Sequence, residues 1–184
     1  MGRPKGSNSD AKERLAAAAG RSFRSGGFGG VGIDGLAKEA GLTSGAFYAH
    51  YGSKAEAFRQ SVRDGVHDLA QGILGFQESG GDWVARFIDF YLTERVTCKI
   101  GESCALQSLS VDVARAGDEV RSDYGAELNL AMDALAHGVG GREKAIALLA
   151  LLSGGVSMAR AVNSPLLADE IIASLRVGAS AIAQ

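Results

Sequence analysis

The sequence between Gly32 and Phe58 reads GIDGLAKEAGLTSGAFYAHYGSKAEAF. It predicts two short helices around a tight turn, followed by a third helix that begins with a capping motif. Gly41 ends the first helix, because glycine readily adopts the left-handed backbone conformation that a tight turn requires. Two short helices joined in this way form a helix-turn-helix, in which the second helix contacts base edges in the major groove of DNA.

The first of these helices has one apolar stripe, because Ile33, Leu36, Ala37 and Ala40 recur at helical spacing. The second, which we call the reading helix, follows Thr43, whose side-chain oxygen can cap it. The pattern therefore predicts a helix pair with a defined inner side.

The outward face of the reading helix is expected to carry mostly small side chains. Phe47 and Tyr51 lie four residues apart and should face inward. A solvated helix face normally carries charges, whereas small side chains let the backbone lie close to base edges. The residues expected to face outward are Gly45, Ala46, Tyr48 and Ala49.

The whole chain is predicted to be all-α. It has 184 residues, of which 46% are hydrophobic and only two are proline. This composition suits helices with an extensive core and argues against disorder. We expect a basic arm at residues 1–9, a three-helix DNA-binding domain at 10–55 and a helical bundle at 56–184.

Charge is distributed unevenly along the chain. Residues 1–60 hold nine Lys or Arg against five Asp or Glu, a net charge of +4, whereas residues 61–184 hold ten against sixteen, a net charge of −6. The two values sum to the overall −2. A basic module on an acidic body is typical of a protein that binds a polyanion at one end, although chance can produce so modest an imbalance.

Several other classes of protein lack support in the sequence. The N-terminus MGRPKGSNSD has no apolar signal-peptide core, so we expect a cytoplasmic protein. The apolar stretch 145–159 contains Ser and Gly and is shorter than the ~20 residues of a membrane span, so it predicts a buried helix. With two cysteines and neither CxxC nor HExxH, no metal site or cofactor is expected.

Polar residues predict where several helices begin. Asp10 with Glu13, and Ser53 with Glu56, have the spacing of capping boxes. Ser164 is the expected cap of the last helix, and Ser103 lies near the start of a helix in the middle of the body. Glycines inside expected helices should each cost about 1 kcal/mol relative to alanine; examples are Gly65, Gly72 and Gly125.

The stretch AIALLALLSGGVSMARAV, residues 145–162, is apolar around most of its circumference. One face of a bundle helix buries only part of such a surface, so a second copy of the chain should cover the rest. A fully internal core helix is the alternative. The predicted dimer interface comprises Leu148, Leu152, Gly155, Ala159, Ile171, Leu175, Gly178 and Ile182.

The stretch AGLTSGAFYAHYGSKAEAF, with its preceding apolar helix and all-helical body, resembles the TetR family of bacterial transcriptional regulators. The resemblance is close in pattern over residues 10–60. It implies a homodimer that binds a palindromic operator in double-stranded DNA and represses transcription until a small molecule enters the C-terminal domain. Catalysis is not expected, and residues 56–184 become an effector-binding and dimerisation domain.

The resemblance also suggests residue roles at the DNA. It implies that Tyr48, His50 and Lys54 hold phosphates, while the basic arm reaches a minor groove through Arg3 and Lys5; a tail without defined contacts is the alternative for the arm. Family members usually begin the second helix with Thr or Ser, where this chain has Val31 and Gly32, which removes one expected phosphate contact. The residues expected at the groove are Thr43, Ser44, Gly45 and Ala46.

The effector itself is not encoded in any readable motif. Cys104 falls near a helix N-terminus, which can lower a thiol pKa, so it is a candidate sensor of oxidants or electrophiles; a small buried cysteine is the alternative. The remaining candidates for a pocket equally suit an ordinary core. They are Trp83, Phe87, Tyr91, Leu106, Leu109 and Tyr124.

Two rival functions remain open at this stage. An architectural DNA-binding dimer would have a solid body and would bind DNA irrespective of metabolites. A small helical enzyme with an accessory DNA-binding segment would need a nucleophile or base, but the His and Cys residues form no recognisable constellation. A closed cavity within residues 80–160 would favour the regulator.

Overall fold

The computed structural model describes residues 8–184, and within this range the chain forms nine α-helices and a short 3₁₀ helix at Ile100–Glu102. The described part of the chain is all-α, as the sequence predicted. The α-helices are α1 (Asn8–Gly26), α2 (Ile33–Glu39), α3 (Ser44–His50), α4 (Lys54–Glu78), α5 (Trp83–Thr97), α6 (Ala105–Ala114), α7 (Asp118–Val139), α8 (Arg142–Ala161) and α9 (Pro165–Ala183).

Helices α1 to α3 pack with the first part of α4 around one apolar cluster, which we call the head. Phe47 and Leu36 are fully buried in it and Tyr51 is 5% exposed, as the sequence pattern predicted. Gly41 makes the turn between α2 and α3 with φ of +68°, which suits glycine. Asp10 is a correction: α1 already runs from Asn8, so Asp10 lies in its first turn instead of capping it.

Helix α4 connects the head to the rest of the molecule without a break. Its cap is Ser53, whose hydroxyl accepts a hydrogen bond from the Glu56 amide at 3.1 Å, as expected. Its first half joins the head cluster, and its second half packs on α5 and α7. Gly65 allows α6 to approach, because a Cβ there would lie 2.6 Å from the Cβ of Ala105.

The body is formed by the second half of α4 and helices α5 to α9. Seven residues of α8 are buried against the surrounding helices. By length and composition α8 is long and apolar enough to cross a membrane, a property that core helices share. Its buried residues agree with the core helix that the sequence predicted.

Helix α6 begins later than its sequence suggested. The segment before it forms the 3₁₀ turn, and the Ser103 hydroxyl donates to the carbonyl of Ile100 at 2.6 Å instead of capping α6. Cys104 occupies the position before the first helical residue and makes no side-chain cap bond. Ser164 caps α9 as expected, and Asp82, which was not predicted as a cap from the sequence, caps α5; each side chain accepts from a backbone amide.

Candidate nucleic-acid interface and interior cavity

The reading helix α3 projects from the head with only Phe47 of its seven residues buried. Gly45 and Ala49 are exposed, Ala46 is half-buried, and Tyr48 is 57% exposed. The Tyr48 and Phe47 rings meet edge to face with centroids 5.6 Å apart. The outer side of α3 therefore carries small, uncharged side chains, with the Tyr48 phenol beside them.

Side-chain hydrogen bonds fix α3 at its start. The Thr43 oxygen accepts from the Ala46 amide at 3.2 Å, which satisfies one backbone donor of the first turn. The Ser44 hydroxyl donates to a carboxylate oxygen of Asp34 on α2. Ser44 thus connects α2 and α3, and its hydroxyl proton is already used in this hydrogen bond.

The first turn of α4 lies after α3 along the chain and holds the candidate phosphate contact Lys54. Its ammonium sits 4.5 Å from the centre of the Phe28 ring, a cation–π distance. The turn is fixed by a second bond, from the Gly52 amide to the Glu56 carboxylate at 2.8 Å. These contacts hold Lys54 beside a rigid helix start.

The other features expected at the DNA are His50, the residue before α2 and the basic arm. His50 is half-buried in the last turn of α3. The backbone before α2 contains Gly32 with no side-chain cap, in accord with the missing hydroxyl noted in the sequence. Arg3 and Lys5 lie outside the described residues.

A cavity of about 110 Å³ lies where α4, α5 and the start of α6 meet the end of α1. Its apolar wall contains three phenylalanines, with Phe76 centred 5.8 Å from Phe87 and 5.5 Å from Phe90. Gly65 and Gly72 of α4 contribute no side chains to its boundary. The space is large enough for several water molecules or one small organic molecule.

Two neighbouring polar groups border this cavity in the interior. Tyr91 is 1% exposed and its hydroxyl has no hydrogen-bond partner within residues 8–184. Burial raises the pKa of the Tyr91 phenol well above its usual value, and the nearby Cys104 raises it further. Cys104 is 7% exposed and also lines the cavity.

Arg24 brings a charge from α1 to the same cavity. Its Nε donates to the carbonyl oxygen of Gly101 at 2.7 Å, across 77 residues of sequence. Burial lowers the pKa of its guanidinium, an effect that Asp68 partly opposes. Glycines 20 and 65 leave room for it, since a Cβ at either position would lie 3.3 or 3.5 Å from its Nη1.

The structure brings together three of the predicted pocket residues, Phe87, Tyr91 and Cys104. Sequence reasoning missed Arg24, Phe76, Phe90 and Arg95, because nothing local to each indicates a shared cavity. The other predicted pocket residues lie elsewhere: Trp83 beside Gly138 and the end of α9, Leu109 and Tyr124 with the head cluster, and Leu106 at the edge of the body core.

The predicted dimer residues lie mostly inside the protomer. Leu175 packs so tightly on Gly155 that a Cβ there would lie 2.1 Å from its Cδ2, a contact between α8 and α9. Most of the predicted interface residues are therefore packed within one chain, whereas other residues of α8 and α9 are exposed. Leu148, Leu152, Gly155, Ala159 and Leu175 are buried; Ile171, Gly178 and Ile182 are half-buried.

Comparison with known proteins supports both the head and the overall fold. A model of bacterial regulatory proteins of the tetR family matches residues 15–60, which span most of α1 and all of α2 and α3. No curated protein sequence matches the chain.

Among solved structures, a TetR-family transcriptional regulator from Agrobacterium tumefaciens superposes with a TM-score of 0.80 at 15% identity, covering 96% of this chain and 100% of its own. The reduced form of E. coli NemR gives 0.71 at 22% identity, covering 90% and 95%. A TetR-family regulator from Streptomyces coelicolor, SCO4454, gives 0.73 at 18% identity, covering 96% and 97%. At these identities the likeness is one of fold.

Proposed function

We propose that the chain is a DNA-binding transcriptional regulator of the TetR family without catalytic activity, and that it acts as a homodimeric repressor released from its operator by a small molecule. The observation that carries the proposal is an exposed reading helix without bulky charged side chains, joined by one unbroken helix to a body with a partly open cavity. Its place of action is the cytoplasm, where the chromosome lies.

The DNA-contacting surface is proposed to be the outer side of α3 with Tyr48, His50 and Lys54 at its edge. Gly45 and Ala46 allow the helix backbone to approach base edges, and Ala46 offers a methyl group to thymine. Thr43, Tyr48, His50 and Lys54 suit phosphates, which position the protein without reading sequence. Arg3 and Lys5 are proposed to extend this contact along the duplex.

The variant Gly45→Glu tests this surface. A side chain at position 45 meets only ordinary contacts, with Thr43 Oγ1 3.8 Å from its Cβ, so the fold should persist. The added bulk and negative charge at the groove should weaken operator binding about 100-fold or more, since like-charge contacts cost several kcal/mol.

A matched control is Ala126→Glu, which adds the same charge at an exposed position of α7. Operator fragments come from genome-wide mapping of bound sites, and affinity is measured by fluorescence anisotropy at fixed salt. Equal affinities of the two variants would exclude α3 as the contact surface.

The dimer is proposed to form through the exposed sides of α8 and α9. Every exposed residue of α8 between Ile146 and Met158 is uncharged, and Met158 is 61% exposed. On α9, Leu166 and Val177 are 83% and 73% exposed. Such an apolar surface on two adjacent helices is suited to a four-helix contact with a second copy.

The variant Met158→Glu should shift the protein from dimer to monomer, measured by sedimentation velocity. Val111→Glu is the control, because Val111 on α6 is equally exposed, at 62%. A wild-type protein that sediments as a monomer at every concentration would contradict the proposed dimer.

The cavity is proposed as the effector site, which supports a ligand-responsive regulator over an architectural DNA-binding protein; unlike the closed cavity within residues 80–160 that was the expected criterion, it is partly open and its lining includes parts of α1 and α4. Phe87, Tyr91 and Cys104 form part of its wall and Arg24 reaches it from the head. We infer that an effector changes the separation of the two reading helices in the dimer more than their chemistry. Measuring that separation with paired spin labels on α3, with and without inducer, tests this: unchanged distances would contradict it.

A second candidate effector is an electrophile or oxidant that reacts with Cys104. The supporting observation is that the thiol borders the cavity, so a small reagent that enters would meet it. Treatment with N-ethylmaleimide should then release DNA from the wild type and not from Cys104→Ser, and equal release from both would exclude Cys104.

A further inference from the structure

We propose that the cavity binds a small monocyclic or similarly sized organic carboxylate, with its anionic end at Arg24 and Tyr91. The inference rests on the proposed function, because it names the chemical class of effector for the same cavity. It depends on three features of residues 8–184: a buried hydroxyl with no hydrogen-bond partner there, a guanidinium with no ion pair there, and an aromatic wall of limited size.

The Tyr91 hydroxyl is the first feature. It is buried, borders the cavity, and has no hydrogen-bond partner within residues 8–184. A buried polar group in this condition costs about 1–3 kcal/mol, which a bound acceptor recovers. Its polar neighbour is the Cys104 thiol, a weak acceptor, so a ligand oxygen would be the stronger partner for this hydroxyl.

The Arg24 guanidinium is the second feature. In the described part of the chain it forms no ion pair within 4.0 Å, and its one hydrogen bond there uses Nε, which leaves the two terminal nitrogens available. The acidic residues of the lining, Asp68 and Glu102, are both solvent-exposed. Planar guanidinium groups bind carboxylates through two parallel hydrogen bonds.

The size and wall of the cavity are the third feature. An engineered protein cavity of about 150 Å³ holds one benzene ring, whereas this one encloses about 110 Å³ and is partly open to solvent, so a monocyclic ligand would lie partly outside it. Phe76, Phe87 and Phe90 offer ring faces and edges to a flat apolar body. The cavity suits one ring or a short chain in preference to a large hydrophobic drug.

A carboxylate at Arg24 would also contact the head directly. Arg24 is a half-buried residue of α1, whose buried hydrophobic residues lie in the head cluster, and its present acceptor is the backbone of Gly101 beside α6. A carboxylate held by the two terminal nitrogens can form while Nε keeps its bond to the Gly101 carbonyl, so the ligand would be connected through Arg24 to α1 and to the segment before α6. Occupancy of the cavity is thereby linked to the position of α1 without any intermediate side chain.

The test uses the full-length protein with benzoate and with benzamide, a neutral molecule of the same shape, in isothermal titration calorimetry. Benzoate should bind at least about 10-fold more tightly than benzamide, as expected for a hydrogen bond to a charged group. Arg24→Met should remove this preference, and Tyr91→Phe should weaken benzoate binding several-fold. Arg63→Met, which removes an exposed arginine of α4, should leave it unchanged.

Equal affinities for benzoate and benzamide in the wild type would overturn the inference even if Arg24→Met fails to fold. So would the absence of benzoate binding at concentrations up to about 10 mM. Operator binding by the same preparation keeps the proposals separate: a protein that binds DNA and ignores carboxylates refutes this inference alone, whereas one that never binds DNA refutes the proposed function.

Discussion

Two aromatic clusters lie toward opposite ends of α4, and they differ in how completely they are filled. In the head, the Phe58 ring centre lies 5.2 Å from that of Phe23, which is fully buried, and 5.1 Å from that of Phe28, which lies at the surface and is 36% exposed. In the body, Phe76 and Phe90 are only half-buried beside the cavity. The same residue type forms a solid core at one end and the wall of a space at the other.

The two clusters differ in how readily their packing can change. A solid core moves as a unit, because closely packed side chains have no empty volume into which to shift. A cavity lined by aromatic rings can gain contacts from a ligand and alter the packing of its own helices. The head is thus suited to carry a fixed surface, and the body to respond.

The largest expected effect compares Phe58→Ala with Phe87→Ala. Both residues are 2% exposed, so their burial is matched. Loss of Phe58 should cost about 3–5 kcal/mol in the free energy of unfolding, whereas loss of Phe87 should cost about 1 kcal/mol less, since a ring beside a cavity has fewer contacts to lose. Urea denaturation measures both, and equal costs would show that the cavity is filled in solution.

The next effect compares two glycines of α4. Gly65→Ala should destabilise by about 1–3 kcal/mol, because the new methyl group overlaps the packed helix α6. Gly72→Ala meets nothing within 4 Å and should stabilise by up to about 1 kcal/mol through helix propensity. Thermal melts of the two variants distinguish them, and a stable Gly65→Ala protein would contradict the close approach of α4 and α6.

Helix caps separate stability from DNA binding. Thr43→Ala in the head and Asp82→Ala in the body each remove a bond to a backbone amide and should each cost about 1 kcal/mol. Only Thr43→Ala should also weaken operator binding, because it loosens the start of the reading helix. The measurements are urea midpoints and anisotropy; equal operator affinities would argue against Thr43 as part of the DNA surface.

The smallest effect concerns the clamp between α4 and α7. Arg59 donates to Asp123 at 2.6 Å, and this hydrogen bond lowers the pKa of the Asp123 carboxyl below its ordinary 3.8. A lowered native pKa gives stability that is present above the ordinary value and is lost as the pH falls through the native one. Exposed pairs contribute little.

Compared with Asp123→Asn, the wild type should therefore keep a small constant advantage in urea midpoint above about pH 4. That advantage should shrink at lower pH. An advantage that grows on acidification would reverse the assigned sign.

The sequence was most informative where a feature is set by neighbours along the chain. The Gly41 turn, the Thr43 cap and the inward position of Phe47 each depend on a few adjacent residues, and the structure confirms them. The early start of α1 was missed: the helix begins at Asn8, and the Ser9 hydroxyl donates to the Glu13 carboxylate within it.

Features that depend on distant partners were not readable. Arg24 meets Gly101 across 77 residues, so no local pattern marks it as part of a cavity wall. In α8 nearly every position is apolar, so periodicity gives no indication of which side meets its own protomer. Only packing separates buried Leu148 and Leu152 from exposed Ile146 and Met158.

The uninterrupted course of α4 has a geometric consequence. At about 1.5 Å per residue, the distance along its axis from Gly72 to Lys54 is about 27 Å. A tilt of about 5° around the cavity end would swing the far end by about 2.4 Å, by simple leverage over that length. In a dimer, displacements of the two α4 helices in opposite directions would add. A ligand the size of one ring would then change the distance between the two reading helices by more than the length of a bond in the ligand.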